Sequence, residues 1–169
     1  MKAVIALGAN LDDPRGSVEL ALTLLEQSTD LLARSSLYLT KPVGGPPQGD
    51  FINAVCIVET ELPPQELLNL LHGIEKSMGR VRGEKWGPRV IDLDLITYGD
   101  ERFVSDELVL PHPLAHERQF VLEPWLEIDP DAQIPGHGRV EDILRREANE
   151  EIAFVPTMGA LHAGARLSH

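Results

Sequence analysis

The stretch Gly83-Glu84-Lys85-Trp86-Gly87-Pro88-Arg89-Val90-Ile91-Asp92-Leu93-Asp94-Leu95-Ile96-Thr97-Tyr98-Gly99 constrains this chain more than any other. A glycine-containing basic loop runs into a strand-like segment with two aspartates one residue apart. Side chains alternate faces in an extended chain, so Val90, Asp92, Asp94 and Ile96 share one face. Ile91, Leu93 and Leu95 make the other, which is wholly apolar and must be buried. The carboxylate face then needs compensating charge. A hard divalent cation such as magnesium supplies it, taking carboxylate oxygens while keeping positions free for phosphate. Arg80, Arg82, Lys85 and Arg89 stand just upstream, and cations beside a carboxylate pair suit a metal together with a polyphosphate. The other reading of the same spacing is a solvated edge strand whose aspartates pair with arginine.

Charge makes that basic cluster more telling. The 169-residue chain has a formal net charge of -12, which argues against general nucleic-acid binding, since that needs a broad basic face. An acidic protein that concentrates cations at 80–89 is expected to hold an anion there; a basic patch on a solvated helix end is the alternative. The length gives one domain with a real core, and 43% hydrophobic with 25% charged residues is the balance of a soluble globular protein. No apolar run is long enough to span a bilayer, and no signal segment opens the sequence. A single cysteine, Cys56, allows no internal disulfide and fits a reducing cytoplasm.

Read in order, Val4 to Leu7 is a buried strand ended by Gly8-Ala9-Asn10. Asp13 caps a helix that starts at Pro14, with Val18, Ala21, Leu22 and Leu25 as its core face. Leu31 to Thr40 reads as one strand. Thr40 to Asp50 holds three prolines and three glycines, so it is a loop, either a lid or a tolerated surface excursion. Phe51 to Thr60 is a strand with two apolar faces, covered on both sides. Asn53 is the polar exception, and a buried amide must be hydrogen-bonded to backbone or to ligand; with Phe51 on the same face it makes a corner able to hold a flat heterocycle. Pro64 opens a second helix with Leu67, Leu71, Ile74 and Met78 as its stripe and Gly79 as its stop. His72 and Glu75 lie on a neighbouring face. Phe103-Val104 and Leu108 to Leu110 are short strands or a hairpin. His112 and His116, four apart but flanked by Pro113, make a poor zinc site. Phe120 to Ile128 is apolar with no clear period, and Val140, Ile143 and Leu144 mark a short charged helix to about Asn149.

Trp86-Gly87-Pro88-Arg89, Ile91-Asp92-Leu93-Asp94-Leu95 and Tyr98-Gly99 closely resemble the signature of the 6-hydroxymethyl-7,8-dihydropterin pyrophosphokinase family, which moves pyrophosphate from ATP to a pterin in folate synthesis. Leu7-Gly8-Ala9-Asn10-Leu11 resembles the family's N-terminal turn. Tyr38 with Thr40, and Phe51-Ile52-Asn53-Ala54, resemble its pterin-side segments. Glu75 with Gly79-Arg80-Val81-Arg82 resembles its ATP-side helix end, and Pro111-His112-Pro113 and Glu117-Arg118-Gln119-Phe120-Val121-Leu122 its C-terminal site segments. The likeness runs over residues 2–148. It implies an α/β (α+β) sandwich with a ferredoxin-like βαββαβ core, a mostly antiparallel sheet and helices on both faces.

The resemblance also implies roles. Asp92 and Asp94 would bind two magnesium ions against ATP, the co-substrate. Arg80, Arg82 and Arg89 would join them as catalytic residues. His72, Glu75, Lys85, Trp86, His112 and Arg118 would complete the ATP site. Thr40, Pro42, Val43, Phe51, Asn53 and Phe120 would form the pterin pocket, the ring stacked between Phe51 and Phe120. Loops 43–50 and 81–87 would close over the substrates. Five residues depart from the family pattern: His72 replaces a frequent Gln, Lys41 a frequent Pro, and Lys85 a frequent Arg, keeping charge without the planar fork, while Glu107 and Val109 stand where some members carry basic or hydroxyl groups and are left out of the site. The expected protein is a cytoplasmic monomer with a pyrophosphokinase domain over 1–152 and no nucleic-acid or membrane partner. Residues 153–169 are expected to be a mobile tail. Within it, Phe154-Val155-Pro156-Thr157-Met158-Gly159-Ala160-Leu161-His162 resembles the start of pantothenate synthetase, without that family's second histidine. Two other readings explain fewer residues: a different metal-dependent nucleotide-using transferase, and a non-enzymatic small-molecule-binding module on the same core.

Overall fold

A computed structural model describes residues 1–41, 50–79 and 90–150, with side chains up to 146. Its centre is β1 (Lys2–Ala9), buried along nearly its whole length. That burial follows from position: β1 lies between β4 (Phe51–Glu59) and β5 (Asp92–Tyr98) in a five-stranded sheet of order β2-β4-β1-β5. β2 (Asp30–Arg34) and β3 (Tyr38–Thr40) share the outer edge of β4, and every pairing is antiparallel. With β2 and β3 counted as a divided second strand, the chain follows the expected strand-helix-strand-strand-helix-strand order.

Alternation along the strands sorts the core into two layers. Ala3, Ile5, Leu7, Ile52, Ala54, Cys56, Val58, Ile91, Leu93 and Leu95 pack against α1 (Pro14–Ser28) and α2 (Pro64–Gly79). Val4, Ala6, Val55 and Ile96 pack against α3 (Gln119–Ile128) and α4 (Val140–Glu150). Helices therefore cover both faces. α1 forms as its sequence dictates: Asp13 accepts the Gly16 N–H at 3.1 Å, Pro14 occupies the first turn, and Val18, Ala21, Leu22 and Leu25 are the buried stripe. In α2, Leu67, Leu71 and Ile74 are buried as spaced, joined by Leu68 and Glu75.

Four local expectations need correction. β1 does not stop at Gly8 but continues through it to Ala9. The single strand expected over 31–40 is broken at Ser35, whose hydroxyl accepts the Val55 N–H at 2.9 Å in place of a backbone carbonyl. Pairing resumes at Tyr38 with the register slipped. β5 begins at Asp92, and a bulge opposite Val4 and Ile5 interrupts its alternation; one extra residue on a strand does this. The apolar run after Phe120 is helix α3, buried through Val121, Leu122 and Trp125. Two short hairpins lie outside the main sheet. β6 (Phe103–Val104) with β7 (Val109–Leu110) was expected; β8 (Gln133–Ile134) with β9 (Gly138–Arg139) was not.

Candidate active site

Directly paired residues on an antiparallel ladder point to the same side. Asp92 pairs with Gly8, Gly8 with Asn53, and Asn53 with Tyr38, so the four make one row across the sheet. The next row holds Asp94, Ala6 and Val55. Ala6 and Val55 belong to the layer under α3, so both aspartates and Asn53 lie on the α3 face, at the end where that apolar layer stops. Asp92 and Asn53 sit two strands apart, about 10 Å at the backbone given the usual strand spacing.

Among the described residues β5 is the edge strand, and its outer backbone groups are held by two polar partners. The Leu93 N–H donates to Glu75 Oε2 at 2.7 Å, with Glu75 only 7% exposed. The Ile96 carbonyl accepts the His112 N–H at 2.8 Å. Glu75 thus fixes the backbone between the two aspartates, and the Ile96 bond brings the His112 segment alongside them. An open edge is otherwise free to slip or pair elsewhere.

The face above the aspartates is polar. Arg118 is the residue just before α3; its Nη1 lies 3.5 Å from Asp94 Oδ2, and its guanidinium carbon stands 5.6 Å from the centre of the Phe120 ring. His112 Nδ1 accepts the Leu114 N–H at 3.1 Å, which leaves Nε2 as the outward nitrogen. Burial holds this imidazole below its ordinary range; the Asp94 carboxylate pulls it up and Arg118 pushes it down. Neutral histidine beside a half-exposed aspartate and a fixed guanidinium can donate one hydrogen bond and leave the arginine as the local cation. The donor set at β5 is two carboxylates, and among the described residues no cluster of three or more His, Cys, Asp or Glu side chains could enclose a metal. Two hard oxygen donors without imidazole or thiolate fit a cation that keeps water and takes phosphate oxygens for its remaining positions.

On the other side of the row, Asn53 Nδ2 donates to Thr40 Oγ1 at 2.7 Å. Both are buried, and Phe51, paired with Thr40, is half-buried at the same end. Gly8 leaves the space this amide needs: a Cβ there would lie 2.9 Å from Asn53 Oδ1. Phe120, in the first turn of α3, packs against the apolar layer of this face with Arg118 over its ring. The structure therefore brings together Thr40, Phe51, Asn53, Glu75, Asp92, Asp94, His112, Arg118 and Phe120 around one end of the sheet. His72 is exposed on α2. Pro42, Val43, Arg80, Arg82, Lys85, Trp86 and Arg89, with residues 43–49 of the first loop and all of the loop 81–87, lie outside the described residues, as does the tail. Gly8 was missed as a site residue, although a glycine inside an apolar strand marks a close approach. The cap that Glu75 provides on β5 was missed too, because it acts across 18 positions of sequence.

Comparison with known proteins gives this arrangement a family. A profile described as 7,8-dihydro-6-hydroxymethylpterin-pyrophosphokinase (HPPK) matches residues 4–130. The 2-amino-4-hydroxy-6-hydroxymethyldihydropteridine pyrophosphokinase of Haemophilus influenzae is 40% identical over 152 residues, covering 89% of this chain and 95% of that protein. The Pseudomonas aeruginosa protein of the same description is 36% identical over 157 residues, covering 92% and 97%. Among solved structures, the fold is similar to Plasmodium falciparum HPPK-DHPS crystallised with pteroate, at a TM-score of 0.67 and 16% identity. That likeness covers 86% of this chain but only 42% of the longer Plasmodium chain, and at that identity it speaks to fold alone.

An α/β fold of this kind, with its acidic edge strand and these relatives, defines a kinase, an ATP-using enzyme of folate biosynthesis. The chain belongs to the 7,8-dihydro-6-hydroxymethylpterin-pyrophosphokinase family. The likeness of residues 154–162 to pantothenate synthetase finds no support in these comparisons. Among the described residues no helix is long and apolar enough to cross a membrane.

Proposed function

We propose that the chain transfers pyrophosphate from ATP to the hydroxymethyl group of 6-hydroxymethyl-7,8-dihydropterin and releases AMP. The observation that carries this reading is the row Asp92, Gly8, Asn53 on one face of the sheet. It sets an acidic, phosphate-side half and an amide, heterocycle-side half about two strand spacings apart. In the reaction the hydroxymethyl oxygen forms a bond to the β-phosphorus. The bond from that phosphorus to the oxygen of the α-phosphate breaks, AMP leaves, and the hydroxyl proton passes to solvent. Positioning and stabilisation of phosphate charge dominate such transfers.

Asp92 and Asp94 would hold magnesium, two ions in this reading; when bound, the metal neutralises charge on the phosphate oxygens and orients them. Arg118 would exchange its contact with Asp94 for the phosphates, and His112 Nε2 would donate to the same anion. Arg80, Arg82 and Arg89 would add positive charge, and Lys85, Trp86 and His72 would meet the nucleotide. Glu75 would serve that half by fixing β5. Asn53 and Thr40 would bond the pterin edge, Phe51 and Phe120 would cover its faces, and Pro42 and Val43 would close the pocket. The reading also takes 1–152 as the catalytic domain, 153–169 as an appended tail, and the protein as a cytoplasmic monomer.

Incubation with ATP, magnesium and 6-hydroxymethyl-7,8-dihydropterin should yield AMP and the pterin pyrophosphate. Release of inorganic pyrophosphate would instead indicate a nucleotidyl transfer, and pterin binding without ATP consumption would indicate a sensor.

A further inference from the structure

β3 is three residues long and, among the described residues, pairs only with β4, yet it carries Thr40, the acceptor for Asn53. A strand that short has little hold of its own. Its second tether crosses the layer. Glu127, near the end of α3, accepts the Tyr38 O–H on Oε1 at 2.8 Å and the Ser36 O–H on Oε2 at 2.8 Å. The Ser36 N–H reaches its Oε1 at 3.1 Å. These partners are 89 and 91 residues away in sequence. Bonds to a carboxylate are shorter and stronger than those between neutral groups.

All three donors lie in the segment just before Thr40, and Tyr38 is in register with Asn53. Phe120 begins the same helix two turns earlier, which returns it to nearly the same helical side as Glu127. One helix thus presents Phe120 at one end and grips β3 at the other. We infer that Glu127 is a positioning residue for the pterin pocket. Through Tyr38 and Ser36 it sets the separation between Phe120 on α3 and the Thr40–Asn53–Phe51 edge of the sheet. This rests on the pterin reading of that edge; Asp92 and Asp94 sit on β5, three strands across the sheet from β3.

The test is steady-state kinetics of the full chain by AMP release. It is run beside thermal melting and equilibrium binding of 6-hydroxymethyl-7,8-dihydropterin in the presence of α,β-methylene-ATP. Glu127→Ala should raise the KM and Kd for the pterin about tenfold, the size of one lost charge-assisted bond, with the KM for ATP held within about twofold. Glu127→Gln, which keeps one acceptor oxygen, should recover part of the loss, and Tyr38→Phe should show a smaller pterin-only effect. Unchanged pterin constants overturn the inference. So does a parallel rise of both KM values in step with loss of folded protein, which marks a merely structural contact. If Glu127→Ala does not fold, Tyr38→Phe decides, because it keeps the ring and removes one bond. A wild-type chain that neither binds pterin nor releases AMP overturns the functional reading and this inference with it. Wild-type binding with unaltered variants overturns this inference alone.

Discussion

The two faces of the sheet start from the same strands and end in different chemistry. The face under α1 and α2 is apolar from Ala3 to Leu95, and Glu75, the charged residue it buries, is spent on a strand backbone. The face under α3 is apolar only as far as Val4, Ala6, Val55 and Ile96. Beyond them the same alternation delivers Asn53, Asp92 and Asp94 to an end that the helix leaves open. One face converts alternation into stability; in the proposed reading the other gives its last rows to binding. Mutations should therefore separate the two properties by parity along a strand.

The sharpest separation is expected at Asp94. Its neighbours in the strand, Leu93 and Leu95, are 3% exposed on the stabilising face, whereas Asp94 is half-exposed beside Arg118. Asp94→Ala should lower turnover by about a thousandfold or more, since it removes an electrostatic element of the transfer. Its melting temperature should stay near wild type. AMP release together with a thermal scan checks both halves, and near-normal magnesium-dependent turnover would break the division of faces.

The reverse result is expected at Leu25, fully buried under the other face. Leu25→Ala should cost about 3 kcal/mol through lost transfer and a residual cavity, or roughly 10 °C in melting temperature for a chain of this size. The KM values of the molecules that remain folded should not change. Denaturant titration gives the first number and kinetics at low temperature the second.

These two positions also show what was legible in sequence. Local periodicity is a property of consecutive residues, so the α1 stripe, its Asp13 cap, the two apolar faces of β4 and the aspartate alternation of β5 all emerge from it. Asn53 stood out because an amide broke an apolar pattern. The break at Ser35 did not, because a serine hydroxyl replacing a carbonyl in the ladder depends on Val55, which lies 20 positions on. Helix α3 was hidden for a related reason. It is apolar on more than one side, with Val121, Leu122 and Trp125 buried and Phe120, Leu126 and Ile128 partly buried against the same cluster, so no single period dominates. Glu127 reads as an ordinary charge, and Glu75 stands out only by resemblance, as an ATP-site residue; the bonds that both make appear only when distant segments are brought to them. The site's identity came from motif resemblance, which periodicity could not supply.

A subtler probe of the binding face is Gly8. Its backbone needs no positive φ, so alanine is tolerated conformationally, but the added Cβ would lie 2.9 Å from Asn53 Oδ1. The amide must yield, and its bond to Thr40 moves with it. Gly8→Ala should raise the pterin KM about tenfold, in line with the steep cost of misplacing a binding group. The ATP KM and the melting point should move little. Equal changes for both substrates would mean that the two ends of the row are not independent.

The smallest effect belongs to Cys56, on the stabilising face. Its thiol is fully buried among apolar neighbours, and burial pushes its pKa up to about 12 from 9.0. A thiol that cannot ionise is a poor nucleophile, so the native protein should not react with a maleimide at pH 8, and labelling should appear only with denaturant. The unfolded thiol ionises first as pH rises. The contribution of this side chain to stability is therefore complete below pH 9.0 and lost progressively toward about 12. Cys56→Ala should cost about 1 kcal/mol, and Cys56→Ser more, because a hydroxyl brings a polar group to an apolar site. Neither should alter a KM. Rapid native labelling would mean that β4 opens at its core, and a strand that opens there could not hold Asn53, three positions away, in register with Gly8 and Asp92.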